Sequence, residues 1–164
     1  MSTSLNHILT GRRAETVRPF RDERPYALSL AGEINGVTFI NDSASVSLEQ
    51  TASNLADVER PVVWIVEANG NQGDLSLLGD LVKNRVKAIV AVGSEAYEVH
   101  DALWKYLKFF TVANSWNEAI DLSLIMAAEG DTVLFSPGCR CVEPFGNYRE
   151  RGAYFDQLVK LRQS

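Results

Sequence analysis

The sequence predicts an open α/β domain, a mostly parallel sheet with helices on both faces. Two kinds of pattern carry this. Val62-Val63-Trp64-Ile65-Val66, after Pro61, is an unbroken apolar run, and Val86 to Val92 reads as another buried strand, ending at Gly93. Runs of this kind mark strands covered on both sides, as in parallel sheets packed between helices. From residue 37 onward, strand and helix patterns alternate four times, the order of an α/β domain. The 164 residues suit one domain, and a chain of this length buries about 70% of its unfolded surface, enough for a core without staples.

The elements follow in order. Residues 1–18 give only a weak helical pattern from Leu5 to Val17, interrupted by Gly11 and ended by Pro19, so the domain proper is placed at 19–164. Tyr26 to Ala31 and Val37 to Ile40 read as two strands around Glu33-Ile34-Asn35-Gly36, and Asn-Gly is the strongest short hairpin signal. Ser47 with Gln50 three residues on forms a capping box for a helix carrying Leu48, Ala52, Leu55 and Ala56 on one face. After the Val62 strand, Leu75 to Asn84 reads as a helix. The Val86 strand leads to a helix over Glu95 to Leu107, with Tyr97, Val99, Ala102, Leu103 and Tyr106 spaced for burial. Phe109 to Val112 is a short strand and Trp116 to Ala128 a helix closed by Gly130. Thr132 to Phe135 is the last strand, and Tyr148 to Leu161 the last helix.

Composition excludes several classes. A net charge of −5 gives no basic excess for a nucleic-acid duplex. The arginines between Arg12 and Arg24 are interleaved with Glu15, Asp22 and Glu23, which reads as a solvated segment. No run approaches the ~18–20 apolar residues of a membrane span, and no secretory signal is seen at the start, so a soluble cytoplasmic protein is expected. Cys139 and Cys141 are too close for a metal knuckle or a redox pair and read as free thiols. His7 and His100 are too few for a histidine-rich metal site, and His100 suits a surface or half-buried structural role. Trp64, Trp104 and Trp116 are read as core residues.

In such sheets ligands bind beyond the carboxyl ends of the strands. Three loops lie there: Asn41 to Ser47, Glu67 to Asp74, and Ser136 to Cys141. No phosphate-binding Gly-x-x-x-x-Gly-Lys loop and no Gly-x-Gly-x-x-Gly fingerprint occurs. None of the five lysines falls in a strand-end loop, and no base stands by Cys139 or Cys141 to make either a nucleophile.

Four blocks occur in order: Glu33-Ile34-Asn35-Gly36-Val37-Thr38-Phe39-Ile40-Asn41-Asp42-Ser43, Val63-Trp64-Ile65-Val66, Val133-Leu134-Phe135-Ser136-Pro137-Gly138-Cys139, and Phe145-Gly146-Asn147-Tyr148-Arg149-Glu150-Arg151-Gly152 with Phe155. Over about Pro19 to Leu161 the chain resembles the C-terminal domain of the Mur ligase family, in its D-glutamate-adding branch. The resemblance implies a Rossmann-like three-layer domain with a sheet of about six strands and an N-terminal hairpin. It also implies a domain that grips the amino-acid substrate and covers a nucleotide bound by a central domain. That central ATP-binding domain has no counterpart in these residues, so carboxylate activation by the chain alone is not expected.

The departures are specific. Where the family has a His-Arg pair before the hairpin, this chain has Tyr26 and Ala27. Its Lys-Ala-Thr-Asn becomes Ala44-Ser45-Val46-Ser47, and its lysine-ended glycine loop becomes Glu67-Ala68-Asn69-Gly70-Asn71. Cys141, after Arg140, stands for its substrate-binding serine. By resemblance Asp42 is a ribose contact, and Ser136, Tyr148, Asn71 and Cys141 are what remains of the substrate site. Each hydrogen bond to a charged ligand group contributes roughly 1.5–3 kcal/mol. Losing two lysines and an arginine then weakens anion binding on the order of a thousandfold, and Glu67 is expected to add repulsion. The expectation is a non-catalytic binding or regulatory module in peptidoglycan precursor synthesis, with an unidentified protein partner. It needs no catalytic residue, metal or cofactor of its own, although the resemblance leaves ATP as a ligand. Half of a split D-glutamate ligase, completed by an ATP-binding chain, is the alternative; a small-ligand sensor using Asp42, Ser136 and Tyr148 is a third.

Overall fold

The computed structural model describes residues 22–59, 61–69 and 73–163; the expected N-terminal segment 1–18 lies outside them. Six strands form one sheet: β1 Ser29–Ile34, β2 Val37–Asn41, β3 Val62–Glu67, β4 Val86–Val92, β5 Phe110–Ala113 and β6 Thr132–Phe135. Their order is β1-β2-β6-β3-β4-β5. Only β1 runs antiparallel, paired to β2; β6 inserts between β2 and β3 and is parallel to both.

Among the described residues four α-helices connect the strands, α1 Leu48–Asp57, α2 Gly79–Arg85, α3 Ala96–Leu103 and α4 Trp116–Met126, with a 3-10 turn at Leu75–Leu78, and a fifth, α5 Tyr148–Leu161, follows β6. Side chains alternate across each strand, so one strand feeds two cores. Ile40, Trp64, Ile89 and Leu134 pack against Leu55, Leu78, Val82 and Leu103 on one face. Phe39, Val63, Ile65 and Phe135 pack against Ile120, Phe155 and Val159 on the other. The continuous apolar strands are explained by this two-sided burial: every residue of β3 is buried.

Local chemistry sets several boundaries. Asn35 (φ 51) and Gly36 (φ 79) are both left-handed, the conformation of a tight type I′ hairpin. Ser47 caps α1 by accepting from the Gln50 N–H, and the Gln50 side chain accepts from the Val46 N–H. Asn147 caps α5 by accepting from the N–H groups of Arg149 and Glu150.

Other expectations need correction. β1 begins at Ser29, not Tyr26, because Tyr26 (φ 60) and Leu28 (φ 55) turn the chain in the left-handed region. The helix expected over Leu75 to Asn84 is a 3-10 turn followed by α2. The helix expected to reach Leu107 ends at Leu103, leaving Trp104 59% exposed and Tyr97, on the outer face of α3, 69% exposed. Ala56 is exposed too; Thr51 and Leu55 are the buried residues of α1. Trp64 is the tryptophan fully inside, where its indole N–H donates to the Ser136 carbonyl at 2.8 Å. Among the described residues no helix is long and apolar enough to cross a membrane.

Candidate functional site

The carboxyl ends of β2, β3 and β6 converge with the start of α5. At this edge two hydrogen-bond networks meet, and both are inside the molecule. Asp42, the residue after β2, is 0% exposed. Its carboxylate accepts from the Ser45 hydroxyl (2.6 Å), the Ser136 hydroxyl (2.7 Å), the Leu28 N–H (3.2 Å) and the Asn54 amide, which reaches both oxygens (3.0 and 2.9 Å). Burial pushes this carboxyl up to about 6, and the donors from Ser45, Asn54, Ser136 and Leu28 pull the other way. The Ser136 hydroxyl also lies 2.7 Å from that of Thr51 on α1.

The second network centres on Arg151, 1% exposed in the first turns of α5. Its guanidinium donates to Glu67 Oε1 (2.9 Å), the Cys139 carbonyl (3.2 Å), the Ser43 hydroxyl (3.0 Å) and the Ser43 carbonyl (2.8 Å). The planar fork thus ties β2, β3 and the loop after β6 to one helix, a task for which its fixed geometry suits arginine over lysine. Burial raises the pKa of Glu67, with Arg151 opposing it. The expected repulsion from Glu67 therefore needs correction: its charge is inside and answered by Arg151. Gly152 completes the motif, since a Cβ there would lie 2.5 Å from the Tyr26 ring. Asn41 closes the same seam by donating to the Gly152 carbonyl and to Asp156, both at 2.8 Å.

Of the residues singled out from sequence, Asp42, Ser136 and Tyr148 are brought to one edge. Asp42 and Ser136 are enclosed. Tyr148 is half-buried at the rim, with the guanidinium groups of Arg24 and Arg149 5.6 and 5.7 Å from its ring centre. Cys141 is half-exposed in the loop after β6. Asn71 lies outside the described residues. Ala44, at the position where the resemblance has lysine, is 0% exposed. Among the described residues no group of three His, Cys, Asp or Glu side chains could hold a metal ion.

Arg151, Asn54, Thr51 and Ser45 were not given roles from sequence. A signal for Arg151 was present: it shares an i, i+4, i+7, i+8 stripe with Phe155, Leu158 and Val159, the buried face of α5. A charged residue on such a stripe needs an internal partner.

The chain is 32% identical over 151 residues to the UDP-N-acetylmuramoylalanine–D-glutamate ligase of Chlamydia pneumoniae, a match covering 92% of this chain and 36% of the relative. With the same ligase from Cytophaga hutchinsonii it is 35% identical over 144 residues, covering 88% and 32%. The solved UDP-N-acetylmuramate-alanine ligase of Thermotoga maritima shares the fold, with a TM-score of 0.56 at 13% identity over 83% of this chain and 30% of that one. The chain is a Mur ligase C-terminal-like domain. No family model matches it. This Mur ligase-like domain spans about a third of the length of the curated relatives it matches.

The two thiols of the Mur ligase-like domain differ sharply. Cys139 is 0% exposed, its thiol donating to the Glu67 carbonyl (3.4 Å) and accepting from the Asn69 amide (3.3 Å). Burial, reinforced by Glu67, pushes its pKa up to about 12. Alkylation of the native protein with iodoacetamide is expected to label Cys141 first, and Cys139 only on unfolding. Peptide mass spectrometry showing equal rates would contradict this burial.

Proposed function

We propose that the chain acts as a non-catalytic binding or regulatory module, built on a domain related to the Mur ligases of peptidoglycan precursor synthesis. The observation that supports this is the mutual engagement of the strand-end polar groups. Asp42, Ser136, Glu67 and Arg151 are each under 7% exposed and bonded to one another or to neighbouring backbone. A ligand reaching Asp42 must displace internal donors worth roughly 1.5–3 kcal/mol each to a charged acceptor. Ala44 offers no cation in exchange. On this reading the chain requires no cofactor, its partner is a protein, and Asp42, Ser136, Tyr148, Asn71 and Cys141 are the remnant of a ligand surface.

Calorimetry of the full chain with ATP, UMP and D-glutamate tests it. No heat at millimolar ligand is the expected result; saturable heat with any of the three removes the reading in favour of a small-ligand sensor.

A second reading has its own support, because the relatives that match at 32 and 35% identity over most of this chain are D-glutamate ligases. In it the chain is one component of a split D-glutamate ligase, completed by an ATP-binding chain. Mixing with such a chain would then give ATP-dependent addition of D-glutamate to UDP-N-acetylmuramoylalanine, detected by mass. Under the first reading no product forms.

A further inference from the structure

The opposite end of the sheet carries a different surface. Lys83, Lys87, Lys105 and Lys108, four of the five lysines, lie around the amino ends of β4 and β5. Lys108 donates to the Lys83 carbonyl at 2.7 Å and lines a cavity of about 510 Å³ together with Tyr97, His100, Trp104, Leu107 and Phe110. It also lines an adjoining one of about 420 Å³ with Arg85 and Lys87. Lys87 is paired with Asp131 at 2.7 Å, whereas Lys83, Lys105 and Lys108 are in no ion pair among the described residues. Acidic groups stand nearby as well: Asp101 is bonded to His100, and Glu98 and Glu95 adjoin it on and at the start of α3. Trp104 is 59% and Phe109 60% exposed, and exposed aromatics of this kind are typical of interface centres rather than of plain surface.

Beside this patch runs an open strand edge. Among the described residues β5 is the outermost strand, joined in the sheet to β4 alone. The Ile89 N–H donates to the Phe109 carbonyl at 3.0 Å. Parallel alternation then turns the peptide groups of Thr111 toward β4 and leaves those of Phe110 and Val112 facing outward. An unpaired edge beside an apolar hollow is a template for an added strand.

We propose that this edge captures an extended acidic segment of a partner protein by strand addition. The segment bonds to the outward peptide groups of Phe110 and Val112. It places one apolar side chain in the hollow under Trp104, and sets carboxylates against Lys105 and Lys108. Charge selects this occupant: the chain carries −5 overall, so an acidic segment is repelled by most of the surface and drawn to the lysine cluster. The inference goes beyond the reading of the strand-end networks and does not depend on it.

The test is fluorescence anisotropy of the full chain with a labelled peptide of alternating glutamate and valine, and with its lysine–valine counterpart. Only the acidic peptide is expected to bind. Lys105→Glu with Lys108→Glu should weaken it roughly tenfold or more, and Trp104→Ala, which removes an exposed ring, should weaken it as well. Amide exchange at Phe110 and Val112 should slow in the complex. The proposal is overturned by any of three results: no binding at millimolar chain, equal binding of the basic peptide, or binding unchanged in the well-folded charge-reversed variant. Sedimentation showing a dimer that closes this edge against the peptide would also overturn it.

Discussion

Replacing Arg151 with methionine is expected to cost about 3–5 kcal/mol of folding stability, read as a shift in the denaturant midpoint at neutral pH. The substitution leaves the Glu67 carboxylate, 6% exposed, without the guanidinium 2.9 Å away. It also strips donors from the Ser43 and Cys139 carbonyls. A buried charge left with the Asn69 amide but no cation is the expensive part, because burial already raises the pKa of Glu67. Two consequences separate this from simple loss of packing. The deficit should shrink as pH falls and Glu67 takes up a proton, and adding Glu67→Gln should recover a good part of it. A single variant within about 1 kcal/mol of the parent, with no pH dependence, would show that Arg151 is not the central tie described above.

Asp42 is expected to make the protein less stable as pH rises toward neutrality. Its carboxyl lies near 6 in the folded chain against an ordinary 3.8. An acid with a raised folded pKa holds its proton more tightly in the native state. Its contribution to stability is therefore full below about 4 and is lost as pH climbs through 6. Two units correspond to about 3 kcal/mol as an order of magnitude. Asp42→Asn removes the titration but sets an amide against the N–H of Leu28 and the amide of Asn54. That clash of donors should cost about 1–3 kcal/mol at acid pH. The difference between the two stability curves isolates Asp42 from Glu67 and Asp156, whose pKa values burial also raises. That difference should fall by about 3 kcal/mol between pH 4 and 7. A flat difference would mean that Asp42 is far better solvated than its surroundings indicate.

These two carboxylates show where reading the sequence succeeded and where it stopped. The residues of β3 announced themselves as an unbroken apolar run, β4 and β6 were legible as strands in an alternating order, and Asn35-Gly36 and Ser47 mark a turn and a cap through their nearest neighbours alone. The loops after β2, β3 and β6 were recognisable as one edge of the sheet, because parallel strands place their ends together. Glu67 was legible as a charge in a place where the resemblance has none. Its sign was read correctly and its consequence was not, since the partner that answers it is 84 residues away. Trp104 and Tyr97 failed for a similar reason: helical spacing marks a face but does not say which neighbour covers it.

The sequence by itself determined the presence of the strands, the hairpin, the starts of α1, α4 and α5 and the relationship to the Mur ligases, all of which depend on patterns spanning a few residues or on motifs kept in order. Only the tertiary structure decided that the polar groups at the strand ends are partners of one another. Asp42 meets Ser136 across 94 residues of chain, and Arg151 meets Ser43 across 108. Periodicity reports which residues are buried. It carries no information about pairings between distant segments, and it is those pairings that set whether a carboxylate faces a ligand or holds the fold together.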